Sequence, residues 1–366
     1  MSALLDASET TGSAARSGPP ARPPRPRPLR LGYVRLTDAA PLIVAAERSL
    51  FERRGLNITL SREIGWAALR HRATFGGLDI MHAPGPLPLA LTLGLGGSAR
   101  NCVAGLVLNL HGNAISLAGH LREKGIIDGP TLAKHVFSTR RHQPLTLAVV
   151  SWHSSHLYLL TRWLRLYGIE PKRDVRLVVV PPEQMVRHLS AGHIDGFCAG
   201  EPWNSFAVAE AKAWCPATSA EVDFGHPEKV LMASQDFVEQ RTEEYTAVAA
   251  AVLEACAWCD SPAGRAQLPA LLSRREYLNL SAEIIACGLR GPFHRGYGEN
   301  FTDANFVVFQ RYQANEPTPE KALWMLECLR QAEFLRLPEK EMQTAALGVF
   351  RADLYRAALQ AGAAKV

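Results

Sequence analysis

The turn before His156 carries the most informative chemistry in the chain. Ser154 and Ser155 open the amphipathic run His156–Tyr167, and serine is a preferred helix N-cap. The histidine then falls in a first helical turn, where backbone N–H groups lack partners and the dipole end is positive. Such a turn receives anions, and its field favours neutral imidazole, a donor that need not titrate. A capping-turn histidine facing water fits the same pattern. Two other residues stand at comparable turns. Trp66 follows Gly65 and opens a helical run, so its indole either faces a cleft or packs beneath the helix. Lys229 ends His226-Pro227-Glu228-Lys229, immediately before the strand-like Val230-Leu231-Met232. It is either solvated or, in a two-lobed α/β protein, a cleft residue.

Competing chemistries find less support. His153 and His156 are spaced like a metal pair, but no third ligand lies within sequence reach. Cys256 and Cys259 form a C-x-x-C inside a long helical run with no second pair, which reads as buried structural thiols. The chain has no G-x-G-x-x-G after its first strand, no P-loop and no G-x-S-x-G elbow. Neither an enzyme nor a cofactor is expected.

The elements that must position these residues alternate. Strand-like runs at Leu31–Leu36, Leu56–Leu60, Leu78–His82, Val103–Leu108, Leu145–Val150 and Val175–Val180 are separated by helical ones. The helical runs are Ala40–Arg54, Trp66–Phe75, Ser155–Tyr167 and Glu183–Ala191. This predicts an α/β architecture with mostly parallel sheets. Beyond Gln235 the pattern turns mainly helical, with Phe237–Cys259 as one long helix. At 366 residues the chain suits two domains or one two-lobed unit. Its formal charge of +5 is partly the work of Arg22, Arg25, Arg27 and Arg30 in a proline-rich front end. The body is close to neutral, which argues against direct nucleic-acid binding. No apolar run reaches spanning length, so no membrane helix is expected.

Residues 1–28 read as a disordered Pro/Arg-rich tail. Its apolar cluster, Ala3-Leu4-Leu5, is broken at once by Asp6, unlike a secretory signal. With seven scattered cysteines, this leads to the expectation of a cytoplasmic protein.

Four motifs then carry a family resemblance. They are Leu31-Gly32-Tyr33-Val34-Arg35-Leu36-Thr37-Asp38-Ala39-Ala40-Pro41-Leu42, Asn113-Ala114-Ile115-Ser116, Gly200-Glu201-Pro202-Trp203-Asn204 and His226-Pro227-Glu228-Lys229-Val230-Leu231. In this order and spacing, over about residues 29–335, the chain resembles the nitrate- and bicarbonate-binding proteins of cyanobacterial ABC transporters. The resemblance implies a two-lobed type II periplasmic-binding-protein fold with the ligand cleft between the lobes. One lobe would comprise 29–115 and 231–366, the second part mainly helical; the other would comprise 116–230. It further implies a pocket in which Trp66, His156 and Lys229 match a tryptophan, a histidine and a lysine of nitrate-binding members. Asn113 stands where those members have glutamine, an amide one methylene shorter. Nitrate and nitrite only accept hydrogen bonds, so Lys229 would supply the compensating charge. His156 and Asn113 would be neutral donors, and Trp66 a wall or an indole donor.

Without an export segment, the expected branch is the cytosolic nitrate/nitrite sensor of the NasS type. Such a sensor sequesters an RNA-binding antiterminator of the NasT type and releases it on anion binding, regulating nitrate-assimilation genes. The alternative is the substrate-binding component of an ABC transporter for nitrate, bicarbonate or an organosulfonate. A pyrimidine-precursor synthase on the same fold would need a catalytic histidine and a cysteine-rich signature, which the sequence lacks.

Overall fold

The computed structural model describes residues 27–363. Apart from Arg27 and Pro28, the tail expected over 1–28 lies outside the described residues. Strands β1 (Leu29–Val34), β2 (Ile58–Glu63), β3 (Ile80–Pro84) and β4 (Cys102–His111) lead into β5 (Asn113–Leu117). There follow β6 (Thr146–Val149), β7 (Arg176–Val179), β8 (Gly196–Gly200), β9 (Trp214–Thr218) and β10 (Pro227–Ser234). A short hairpin, β11 (Phe293–Gly296) and β12 (Glu299–Phe301), precedes β13 (Val307–Val308).

These strands form two main sheets, one of order β13-β4-β10-β3-β1-β2 and one of order β7-β6-β8-β5-β9. The chain passes from the first to the second at Gly112 and returns between Thr218 and Pro227. His111 and Gly112 both take positive φ, 57° and 94°, so the chain turns sharply between two ladders with no loop. Asn113 through Leu117 pair with Gly200 through Gly196 in the second sheet, so the crossing lies a few residues before the 115/116 division expected from apolar runs. Likewise the whole of β10, including Glu228 and Lys229, belongs to the first sheet.

The expectation of mostly parallel sheets needs correction. β1 pairs in parallel with β2 and β3, and β6 with β7 and β8. The strands at the crossings, β4, β5 and β10, pair antiparallel. β5 and β10 arrive from the other sheet, so no helical crossover within one sheet holds them to the parallel direction, and β4 is antiparallel because its partner is β10. Two expected helices are also interrupted. Ala40–Glu47 ends before a 3₁₀ turn at Glu52–Arg54, and the run from Phe237 divides at Arg241 into Gln235–Gln240 and Thr242–Asp260.

Helix Thr242–Asp260 buries an Ala/Val face in the core of the first lobe. From it Tyr245 reaches into the sheet, donating to the Leu231 carbonyl at 2.9 Å and accepting from the Gly105 N–H at 2.9 Å. A side chain at Gly105 would collide with that hydroxyl, so the glycine makes the approach possible. Tyr245→Phe strands two buried backbone groups and is expected to cost roughly 1–3 kcal/mol, read as a lower urea midpoint with unchanged far-UV circular dichroism.

Candidate functional site

Two turns of the first lobe meet at a buried ion cluster. After β1 a 3₁₀ turn, Thr37–Ala39, holds Asp38 almost fully buried. In β10 the pairing with β4 is irregular on both sides of Lys229. Neighbours on a regular strand point to opposite faces, but here Glu228 and Lys229 meet. The Lys229 ammonium lies 2.7 Å from Glu228 Oε1 and 2.8 Å from Asp38 Oδ2. His82, on β3, places Nε2 2.9 Å from Asp38 Oδ1. From the second lobe the Ser155 hydroxyl approaches both Glu228 oxygens at 2.6 Å. His226 Nδ1 lies 3.1 Å from its acceptor, the Pro227 carbonyl, and 3.7 Å from Glu228 Oε2.

The residues expected from sequence converge on this cluster. His156 sits in the first turn of helix Ser155–Leu166, fully buried, so it does not face water. Its Nε2 is 3.9 Å from Glu228 Oε1, and neither ring nitrogen has a hydrogen-bond partner. The N-cap position is Ser154, as expected, but its hydroxyl donates to Ser151 O at 2.7 Å and caps nothing. Trp66 is buried, as its packed reading expects. It packs in the apolar core, while its ring lies 5.7 Å from the Lys229 ammonium and its indole N–H has no acceptor. Asn113, fully buried at the start of β5, leaves both side-chain polar atoms unpartnered. A Cβ built on Gly200 would sit 3.3 Å from Asn113 Oδ1 and 3.6 Å from Asp38 Oδ2. The bare glycine therefore keeps the amide and the ion cluster on one small space.

The electrostatics depart from a lone compensating lysine. Burial alone would pull the Lys229 ammonium down, but Asp38 and Glu228 raise it above its ordinary value, so it stays charged. Burial opposes ionisation of Asp38 too; Lys229 and His82 outweigh it and hold the carboxyl well below the usual range. Glu228 is held at about 2 because Lys229, His156 and His226 overcome its burial. Burial lowers His156 to about 4 and also lowers His82 and His226, leaving all three neutral at pH 7. Two carboxylates against one ammonium give the cluster one net negative charge. The positive charge expected at Lys229 is present, but it is already spoken for.

Sequence reasoning passed over Asp38, Glu228 and His82, and read Ser155 only as a candidate helix cap. Asp38 and Glu228 lie inside motifs already singled out, yet an anion site gives no reason to seek carboxylates. For Glu228 the usable signal was its immediate company, a lysine just before an apolar run; Asp38, between Thr37 and Ala39, carries no such signal.

His153 does not join His156. Its Nδ1 lies 3.1 Å from Arg70 Nη1, and no group of three potential metal ligands occurs among the described residues. Cys256 and Cys259 are buried in the core of the first lobe, where burial pushes both thiols up.

Removing the ammonium leaves two buried carboxylates uncompensated. Lys229→Met is expected to cost about 3–5 kcal/mol at pH 7. Without Lys229 the carboxyl pKa values rise above those of the unfolded chain, which adds stability at low pH that is lost as pH rises through them. The deficit relative to the parent chain should therefore shrink as pH falls from 7 towards 5, read as the gap between their urea midpoints.

Comparison with known proteins places this geometry. Residues 22–273 match the model of the NMT1-like family. The chain is 31% identical over 369 residues to the nitrate/nitrite binding protein NrtA of Synechococcus elongatus, covering 96% of this chain and 83% of that protein. It is 35% identical over 317 residues to the nitrate import ATP-binding protein NrtC of Synechocystis, covering 85% of this chain but 47% of NrtC. It thus spans about half the length of that longer relative. The crystal structure of the periplasmic nitrate-binding protein NrtA from Synechocystis superposes with a TM-score of 0.86 at 27% identity, over 91% of this chain and 88% of the other. The ligand-binding component of an ABC-type import system from Staphylococcus aureus matches at a TM-score of 0.70 and 14% identity, over 90% and 97% of the two chains, and shares the fold alone. The architecture is the two-lobed α/β fold of periplasmic binding proteins.

Proposed function

The chain belongs to the NMT1-like family, and from that premise we propose that it binds nitrate or nitrite in the buried site between its lobes. The observation that carries this reading is the set of unpartnered donors. Trp66, Asn113 and His156 each keep a polar side-chain atom buried without a partner, beside a charged lysine. Buried polar groups are nearly always satisfied, so such a group points to a ligand. A small planar oxyanion offers only acceptors and supplies what these donors lack. The names of the relatives, nitrate and nitrite binding proteins among them, favour the same ligand.

The four site residues each expose 3% or less of their surface, so an anion enters only when the lobes part. Closure is held by bonds across the gap. The Thr37 N–H donates to Glu201 O at 2.7 Å, and Arg35 pairs with Glu183 at 2.8 Å. The indole of Trp203 donates to Arg35 O at 2.9 Å. A ligand that favours the closed arrangement can therefore be read by a partner that favours the open one.

On this basis we propose a cytosolic nitrate/nitrite sensor that holds an RNA-binding antiterminator when empty and releases it when occupied. All seven cysteines are unpaired, which supports a reducing compartment. The names of the relatives favour the second reading, a transporter's substrate-binding component. No helix among the described residues is long and apolar enough to cross a membrane.

Titration calorimetry with sodium nitrate should show one site. Trp66→Phe, which removes a single N–H donor to the anion, should weaken binding by roughly 1.5–3 kcal/mol; an unchanged affinity would return Trp66 to the core alone. A tagged chain should capture an RNA-binding partner from the source cells without nitrate and lose it on nitrate addition. Recovery of the protein in a periplasmic fraction would decide for the transporter.

A further inference from the structure

Resting on the anion reading above, we infer that the anion enters this site together with one proton, which His156 accepts from solvent. Asp38 and Glu228 already outnumber Lys229 by one, in a space that excludes water. A bare monoanion would double the negative charge inside a low-dielectric interior, where like charges repel strongly. A proton arriving with the anion leaves the total unchanged.

His156 is the group placed to take it. His82 already engages Asp38, and His226 engages the Pro227 carbonyl. His156 alone among the three has both ring nitrogens without a partner. Its surroundings favour the charged form once the site fills. Glu228 on β10 and Asp38 in the turn after β1 favour an imidazolium there, Lys229 on β10 and His226 in the segment entering it oppose one, and a bound anion adds a further negative charge to the favourable side. The thiols of Cys198 on β8 and of Cys328 on helix Pro319–Gln331 lie in the same field, and burial keeps both neutral. Protonation would leave an N–H on Nε2, 3.9 Å from Glu228 Oε1, and another on Nδ1 for the anion.

In the empty site burial holds His156 at about 4; the bound anion raises that value. Binding takes up a proton wherever the pH lies between the two, so affinity falls as pH rises through that window. Below the empty-state value, and above the occupied-state value, affinity is flat.

Nitrate is a suitable probe because it is the anion of a strong acid and does not itself titrate. Between pH 5.5 and 7, its Kd should rise nearly tenfold per pH unit. Calorimetry in cationic buffers of different ionisation enthalpy should read about one proton taken up per nitrate. His156→Gln keeps a donor but cannot titrate, and should bind more weakly with a Kd that no longer depends on pH. Glu228→Gln removes one negative charge and should lower the proton uptake while improving affinity at pH 8. A flat Kd with no proton uptake, binding intact, overturns the coupling and spares the anion reading. No nitrate binding at any pH overturns both.

Discussion

Everything at the centre of this molecule depends on one buried ammonium held between two carboxylates. Lys229 reaches Asp38 and Glu228 at 2.8 and 2.7 Å with essentially no exposure. Taking such ions out of water costs several kcal/mol each, and their attraction offsets that only in good geometry. The geometry here is built by the backbone. The irregular pairing of β10 around Lys229 brings two sequence neighbours onto the same side, and the 3₁₀ turn after β1 presents Asp38 to them. β10 is also the first strand after the chain returns from the second lobe. The ion cluster therefore anchors one of the two crossings that join the lobes.

The same cluster ties binding to shape. Ser155, at the start of a second-lobe helix, donates to Glu228, and Thr37, next to Asp38, donates its backbone N–H to Glu201 in the second lobe. The residues of the ion cluster and its neighbours are thus among those that hold the lobes together. Parting the lobes breaks those bonds and hydrates the carboxylates, which raises the local dielectric and weakens their hold on Lys229. Open and closed arrangements differ electrostatically as well as sterically, and a charged ligand acts on both differences.

Much of this was legible in the sequence, and the gaps have physical reasons. The alternation of short apolar runs and amphipathic ones fixed the class of fold, because each period reflects burial on one or two faces. Trp66, His156 and Lys229 stood out because a turn before an element exposes backbone donors there. The crossing at Gly112 was not legible, since Asn113–Leu117 is as apolar as a first-lobe strand and only its partner β8 assigns it. The irregularity in β10 was equally hidden. Glu228 beside Lys229 reads as two residues on opposite faces until the register with β4 is known. Asp38 was read past because carboxylates are not sought where an anion is expected.

The unpartnered donors explain why the closed arrangement needs something inside it. An indole N–H, an amide and an imidazole buried without acceptors each cost about 1–3 kcal/mol relative to hydration. In the open arrangement water meets those needs, so closing an empty site forfeits them, while closing over an oxyanion replaces them. On the proposed reading, the residues that would recognise the ligand are also the ones that penalise closure without it. That penalty sets the differential affinity for the two arrangements, the quantity that limits how far any ligand shifts a population. Filling the donors from within the protein, by an extra carboxylate for example, would stabilise the closed state and cost the ability to respond. The marginal, unsatisfied interior of this site is the condition for its use.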